Sequence, residues 1–338
     1  MKKILVTGGL GFIGSHTVVE LQNEGYEVII IDNLSNSSIE VLDRITSITG
    51  KQPLFEKIDL KDQTAIRQFF NTHKNIDGII HFAASKAVGE SVEEPLKYYH
   101  NNISTLVYLL EEMNVNNVSN FIFSSSCTVY GQADSMPITE SAPFKPAESP
   151  YGNTKQIGEE IISDTTKSTN LKAIALRYFN PIGAHESAGI GELPIGVPQN
   201  LIPYVTQTAM GIREELSVFG GDYPTPDGTA IRDYIHVVDL AKAHIAALNR
   251  LIKNNNTSNF EVFNIGTGKG SSVLDVINAF EKVSDKKLNY KIVGRREGDI
   301  VEAYADTSLA NTELKWKTEY NLEDALASAW KWQQSLHK

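Results

Sequence analysis

The first 32 residues constrain the fold more than any other stretch. Lys2-Lys3-Ile4-Leu5-Val6-Thr7 is a short β-branched run, Gly8-Gly9-Leu10-Gly11-Phe12-Ile13-Gly14-Ser15-His16 is a glycine-rich turn, and Val18, Val19 and Leu21 then recur at helical spacing. Strand, turn and helix in this order form a nucleotide-binding unit. Glycines at positions 8, 11 and 14 let the chain turn tightly, bring backbone close to a pyrophosphate and pack the helix on the strand. The helix N-terminus adds N–H donors and positive potential. Tyr26-Glu27-Val28-Ile29-Ile30-Ile31-Asp32 reads as a second strand ending in a carboxylate, at the distance expected of a group that bonds a ribose 2′-hydroxyl. Asn33-Leu34-Ser35 brings no arginine to hold a 2′-phosphate, so the expected dinucleotide is NAD rather than NADP. The competing reading, a glycine turn without ligand, loses weight once strand, helix and acid all fall in place.

The alternation continues. A helical stretch near residues 38 to 49 is followed by a strand around Pro53 to Ile58, a helix from Asp62 to about His73 and a strand from Ile76 to Phe82. A long helix is expected over about Pro95 to Val115, then a strand at Asn120 to Ser124, a helix carrying Tyr151, and a strand at Leu171 to Tyr178. Such repetition implies an α/β fold with a doubly wound parallel sheet of Rossmann type, whose functional residues gather at the carboxyl ends of the strands. Gly8, Asp32, Asp59, Phe82 and Ser126 all fall there. Beyond Asn180, glycine, proline and small residues mark the loops of a smaller C-terminal substrate domain. The expected division is 1–180 for the dinucleotide half, with later segments near 232–265 returning to it, and mainly 181–338 for the substrate half.

Of the 338 residues, 41% are hydrophobic, enough for one large core and a smaller one. A formal charge of −10 argues against nucleic acid or an anionic membrane as partner, since either needs a basic surface. The lone cysteine, Cys127, permits no internal disulfide, no leader is expected ahead of the first strand, and no apolar run reaches membrane-spanning length, so a cytoplasmic location is expected. There is no metal-ligand spacing, and the eight histidines are scattered.

Tyr151 and Lys155 lie four residues apart in Ser149-Pro150-Tyr151-Gly152-Asn153-Thr154-Lys155, about two dozen residues after Ser124-Ser125-Ser126. Pro150 suits a first helical turn, which puts phenol and ammonium on one face. The positive charge is expected to lower the tyrosine pKa towards that of a general base, with a serine hydroxyl sharing the proton. The same spacing also occurs on ordinary solvated helices. Arg295-Arg296-Glu297-Gly298-Asp299 can clamp a diphosphate and accept bonds from sugar hydroxyls, or be a solvated charged loop.

With these motifs together, the chain resembles the extended short-chain dehydrogenases/reductases and, within them, the UDP-sugar 4-epimerases, over nearly its whole length. The resemblance is carried by the glycine motif, His81-Phe82-Ala83, Lys86 to Ser91, Phe123-Ser124-Ser125-Ser126, Thr128-Val129-Tyr130-Gly131, Arg177-Tyr178-Phe179-Asn180-Pro181, Gly220 to Tyr223, Arg232 to Val237, and Arg295 to Asp299. The last three blocks are the selective ones. It implies NAD on Gly8, Gly11, Phe12, Ile13, Gly14, Asp32 and Asn33, with Asp59 and Leu60 near the adenine. Phe82, Ala83, Lys86, Asn101 and Phe179 would complete the cofactor set, and Tyr151 and Lys155 would meet the nicotinamide ribose. A UDP-sugar would meet Ser126, Tyr151, Asn180, Asn200, Leu201, Val218, Phe219, Arg232, Tyr234, Arg296, Asp299 and Ala303.

The implied reaction has Tyr151 as base, Lys155 as its cationic neighbour and Ser126 or Thr128 orienting the hydroxyl, with inversion at C4 through a 4-keto sugar. A homodimer through helices near 95 to 115 and 150 to 166 is implied as well. Two rivals share the scaffold: a sugar-nucleotide 4,6-dehydratase, which carries an Asp-Glu pair where Cys127-Thr128 stand here, and a nonenzymatic dinucleotide sensor, which often lacks the tyrosine and lysine. Ala303 aligns with a position that is a bulky Tyr in epimerases restricted to simple hexoses, and its small side chain implies a pocket that also admits N-acetylhexosamines.

Overall fold

The computed structural model describes residues 1–296 and 299–337; Glu297 and Gly298 of the arginine cluster lie outside the described residues. Its centre is a seven-stranded sheet. The strands are β1 (Lys3–Thr7), β2 (Glu27–Asp32), β3 (Leu54–Lys57), β4 (Gly78–His81), β5 (Asn120–Ser124), β6 (Lys172–Tyr178) and the strand Phe260–Ile265. They run in the order β3-β2-β1-β4-β5-β6 and then Phe260–Ile265, every pairing parallel. The connections are α1 (Phe12–Asn23), α2 (Glu40–Thr49), α3 (Gln63–Thr72), α4 (Val88–Glu93), α5 (Pro95–Tyr99), α6 (Thr105–Val115) and α7 (Pro150–Ser168).

The strands read as continuous apolar runs because helices cover both faces of the sheet. Alternate residues divide between two cores: Ile4, Val6 and Ile30 join Val18, Leu240 and Leu248 on one side, while Leu5, Ile29 and Ile31 join Phe69, Leu106 and Phe121 on the other. Strand order reverses between β1 and β4, and this switch point opens a crevice beyond their carboxyl ends. The helix Val237–Ile252 packs against α1 and leads into Phe260–Ile265 beside β6. The remaining C-terminal segments form short two- and three-stranded sheets and the helices Leu201–Ala209, Val273–Ser284 and Leu322–Ser335, around a core of Ile202, Val205, Leu216, Phe280 and Trp330.

Two elements depart from the sequence pattern. The helix expected over Pro95 to Val115 is split by a π-helical turn at His100–Ser104. The wide turn carries Asn102, whose amide Oδ1 accepts from Ser85 N (2.8 Å) and whose Nδ2 donates to Ser85 O and Thr154 Oγ1 (3.0 Å each), so the bulge ties the loop after β4 to α7. The run Arg232 to Val237, whose apolar and aromatic residues read as a return to strand, is not one strand. Ile231–Arg232 and Tyr234–His236 enter different small sheets, broken at Asp233.

Asp233 is fully buried, and its carboxylate accepts from Thr267 N (2.8 Å), Thr267 Oγ1 (2.7 Å), Gly268 N (3.1 Å) and Ala305 N (3.2 Å). Asp233→Ala would orphan these donors in the interior. The expected loss is about 3 kcal/mol of unfolding free energy, read from the midpoint of a urea titration at unchanged slope. A loss indistinguishable from zero would mean that the carboxylate does not organise this junction.

Candidate active site

The glycine turn closes against the loop after β4. Gly8 has φ +69°, and a Cβ there would lie 2.8 Å from Ala83 N; a Cβ on Gly14 would meet Gly8 O at 2.2 Å. No side chain fits at either position. α1 starts after Gly11 with no side-chain cap and no acid in its first turn, so the N–H groups of Phe12, Ile13 and Gly14 are free to serve an anion. Asp32, at the end of β2 and 8% exposed, accepts from Leu10 N (3.1 Å) through Oδ2 and from Leu34 N (2.9 Å) and Ser37 Oγ (2.8 Å) through Oδ1. These bonds fix the carboxylate at the crevice edge, where a ribose hydroxyl can add one more. The cradle and the carboxylate fit a dinucleotide.

The other residues expected on the cofactor side have differing roles in the chain. Asn33 caps its own loop through Ser35 N (3.0 Å), Asp59 holds Lys61 N (3.0 Å), and Leu60 is buried in the core. Phe82 lies against the His244 ring (4.6 Å), and Ala83 N reaches Thr7 Oγ1 (3.4 Å). Asn101 only donates to Asn102 Oδ1 (3.0 Å); its neighbour Asn102 makes the structural bonds, which no spacing in the sequence distinguishes.

α7 delivers the phenol and the ammonium. Ser149 Oγ caps Gly152 N (3.1 Å) and Pro150 occupies the first turn, as the sequence implies. Tyr151 and Lys155 are both buried, at 7% and 5% exposure. Lys155 Nζ donates to Ser124 O (2.7 Å), lies over the Phe123 ring (4.9 Å) and stands 5.8 Å from the centre of the Tyr151 ring. Ser126 closes the group, hydrogen-bonding the phenol and accepting from Thr128 N (3.2 Å). The Thr128 hydroxyl is buried without a partner, and this threonine packs on Gly152, next to Tyr151.

The electrostatics correct one expectation. In the chain alone, burial pushes the Tyr151 pKa well above 10, with the Ser126 hydrogen bond drawing it back only in part. Burial outweighs the effect of the neighbouring lysine. Burial also brings the Lys155 ammonium down to about 8, opposed by the Glu159 carboxylate. A phenolate here therefore needs further positive charge.

The residues expected to meet a substrate come from several loops and strand ends. Asn180 N donates to Asp233 O (2.9 Å), and Asn180 lies opposite Tyr234 in a parallel pair. Val218 is buried and Phe219 exposed at the end of the strand Leu216–Phe219. Arg232 pairs with Asp299 and donates to Ile231 O and Ile300 O (2.8 Å each), so these two predicted ligand groups hold one another. Arg295 turns outward to Asp222 Oδ1 (2.9 Å) and stacks on Tyr223 (4.3 Å), which separates it from Arg296, lying against Gly89 of α4. The sequence pair is therefore not a two-armed clamp. Ala303 is buried with Val129, Tyr130 and Phe179. Asn200 and Leu201 open the helix Leu201–Ala209. Among the described residues no cluster of His, Cys, Asp and Glu could hold a metal ion, and no helix is long and apolar enough to cross a membrane.

With this geometry, the chain matches the GDP-mannose 4,6 dehydratase family over residues 5–329. A UDP-glucose 4-epimerase of Bacillus subtilis is 52% identical, across 98% of this chain and 97% of its own length. Among solved structures, a UDP-glucose 4-epimerase from Stenotrophomonas maltophila with bound NAD and formylated UDP-arabinopyranose superposes with a TM-score of 0.96 at 46% identity, covering 100% of this chain and 99% of that one. One from Bifidobacterium longum in complex with NAD+ and UDP gives 0.95 at 47%, covering 99% and 98%.

The depressed lysine has a measurable consequence. Between about 8 and its ordinary value of 10.5, the unfolded chain holds a proton that the folded chain has released, so this group makes stability rise with pH across that window. The difference in unfolding free energy between wild type and Lys155→Met is expected to rise over the same range. A flat difference would show that Lys155 is not desolvated as placed.

Proposed function

The chain belongs to the UDP-glucose 4-epimerases of the extended short-chain dehydrogenase/reductase family, NAD-dependent enzymes, and we propose that it inverts C4 of UDP-galactose and UDP-glucose, and of their N-acetylated counterparts, through a transient 4-keto sugar. The observation that carries this reading is the convergence of Tyr151, Lys155, Ser126 and the unpartnered Thr128 hydroxyl at the carboxyl end of β5, beside the glycine cradle.

Gly8, Gly11, Phe12, Ile13, Gly14, Asp32, Asn33, Asp59, Leu60, Phe82, Ala83, Lys86, Asn101 and Phe179 form the proposed cofactor side. NAD held there would supply a cationic ring and a reversible hydride acceptor for the sugar. Lys155, helped by that positive charge, would oppose the burial that keeps Tyr151 protonated, and the Tyr151 phenolate then takes the proton from the 4-hydroxyl. Thr128 and Ser126 orient that hydroxyl. Asn200, Leu201, Val218, Phe219, Arg232, Tyr234, Arg296 and Asp299 hold the UDP moiety, so the keto sugar turns about its phosphate bonds while anchored. Tyr151 then returns its proton to the opposite configuration. With Tyr151→Phe, turnover of UDP-galactose is expected to fall by about a hundredfold or more while NAD stays bound, read from the product and from the released nucleotide after denaturation. Near wild-type turnover would remove Tyr151 from this role.

The dehydratase reading requires acids that the strand end lacks. Cys127 and Thr128 follow Ser126, and burial pushes the Cys127 thiol up to about 12, out of the range of an acid or base at neutral pH. The sensor reading leaves the Tyr151, Lys155 and Ser126 group without a purpose. A cytoplasmic homodimer through the helices near 95 to 115 and 150 to 166 completes the proposal, and Leu96, 80% exposed, is the apolar group such a contact would cover.

Substrate range rests on Ala303. Its backbone is held by Asp233 N (3.0 Å) and by its register with Arg232, and its methyl lies in a cluster with Phe179 and Val129. A tyrosine ring there would fill the space beside the sugar. Ala303→Tyr is expected to lower kcat/KM for UDP-GalNAc by about tenfold or more and leave UDP-galactose within about threefold. Equal effects on both sugars would sink the pocket argument.

A further inference from the structure

Gly220 to Tyr223 is one of the selective blocks of the sequence and Arg295 is half of its arginine pair, yet neither has a task in the site described above. The structure joins them. Gly220 has φ +76°, and a Cβ there would lie 2.2 Å from Tyr223 Cε2, so only a glycine lets the ring come this close. The Arg295 guanidinium lies over the ring, 4.3 Å from its centre, and is itself fixed by Asp222 Oδ1 (2.9 Å) and Asp222 O (2.6 Å). The Tyr223 backbone is closed into its own turn, its N donating to Gly228 O (3.0 Å) and its O accepting from Thr225 N (2.8 Å). Backbone, ring edge and ring face are all held.

Only the hydroxyl is left over. Tyr223 is 4% exposed, and its hydroxyl oxygen is buried with no hydrogen-bond partner among the described residues. A buried tyrosine hydroxyl ordinarily has one. Asp299, Arg295, Arg232 and Asp222 are the charges that act on it. Two of these, Arg232 and Asp299, are the pair assigned to UDP, and Val218 and Phe219 directly precede the block. Arg232 is already committed to Asp299, Ile231 O and Ile300 O. Burial, reinforced by the Asp299 carboxylate, pushes the phenol above its ordinary value of 10, so at neutral pH it keeps its proton and acts as a donor.

We propose that Tyr223 is a further binding residue for the nucleotide sugar, its hydroxyl donating a hydrogen bond to an oxygen of the nucleoside diphosphate beside Arg232 and Asp299. This rests on the assignment of Arg232 and Asp299 to the UDP moiety. The donor is desolvated and its ring immobilised before the ligand arrives, so the bond forms without a further ordering cost. Arg295 then differs in task from Arg296: it holds the ring rather than the ligand.

Tyr223→Phe keeps the ring and its stack on Arg295 and removes only the hydroxyl. Two measurements on the NAD-loaded protein separate a ligand contact from a structural one. In a calorimetric titration the variant binds UDP about tenfold more weakly than wild type. Without UDP, its urea midpoint is unchanged or higher, because no bond within the protein has been lost. In turnover, KM for UDP-galactose rises by a similar factor at nearly constant kcat, since the contact serves the bound substrate and its transition state alike. Equal UDP affinity of wild type and Tyr223→Phe overturns the proposal. A lowered urea midpoint, whatever the affinity, makes the hydroxyl a structural group and overturns it as well. Failure of wild type to bind UDP overturns the nucleotide-sugar assignment beneath it.

Discussion

The buried ion pair between Glu159 and Arg177 is the interaction on which the site rests. Their side chains are 3% and 7% exposed, joined by Arg177 Nε to Oε1 (3.0 Å) and Nη2 to Oε2 (2.6 Å). Breaking such a pair leaves an uncompensated charge in the interior at a cost of about 3–5 kcal/mol. Its value is geometric as much as energetic. Glu159 follows Tyr151 and Lys155 at helical four-residue steps on α7, Arg177 lies near the end of β6, and Ser125 Oγ donates to Glu159 Oε1 (2.5 Å). Arg177 continues through the Tyr130 hydroxyl (2.9 Å) to Asn264 (2.6 Å). One network therefore fixes α7, the strand-end serines and the outer strand of the sheet relative to one another.

That network places the phenol and ammonium where they are expensive to charge. Burial raises Tyr151 and lowers Lys155 to about 8, so in the chain alone the phenolate above all is disfavoured. Glu159 acts against this by favouring the lysine cation from within α7. Under the proposed function, a bound cationic cofactor would supply the remaining bias and so link the strength of the tyrosine base to the presence of a hydride acceptor. A reversible redox step needs this coupling, because oxidation removes a positive charge and reduction restores it.

Much of this was legible in the sequence because its causes are local. Glycine spacing, the carboxylate after the second strand, Pro150 with the four-residue step to Lys155, and strand and helix periods all act over a few residues. They led to the parallel sheet and the crevice directly. What the sequence hid depends on distant partners. Asn102 rather than Asn101 carries the structural bonds because a π-helical turn rotates the helix there. Arg295 parts from Arg296 because Asp222 and Tyr223 take it. The interruption at Asp233 arises from donors more than thirty residues downstream. A lowered Tyr151 was expected from the proximity of the lysine, but in the chain alone desolvation outweighs that attraction.

The central claim is that one hydride leaves C4 and returns to the same carbon, with Tyr151 carrying the proton both ways. UDP-galactose bearing deuterium at C4, incubated with the purified protein in ordinary water without added NAD, tests this in one NMR measurement of the product. The account predicts UDP-glucose that keeps the deuterium at C4. Product with that deuterium exchanged for solvent hydrogen, or inversion accompanied by oxygen exchange at C4, would contradict it.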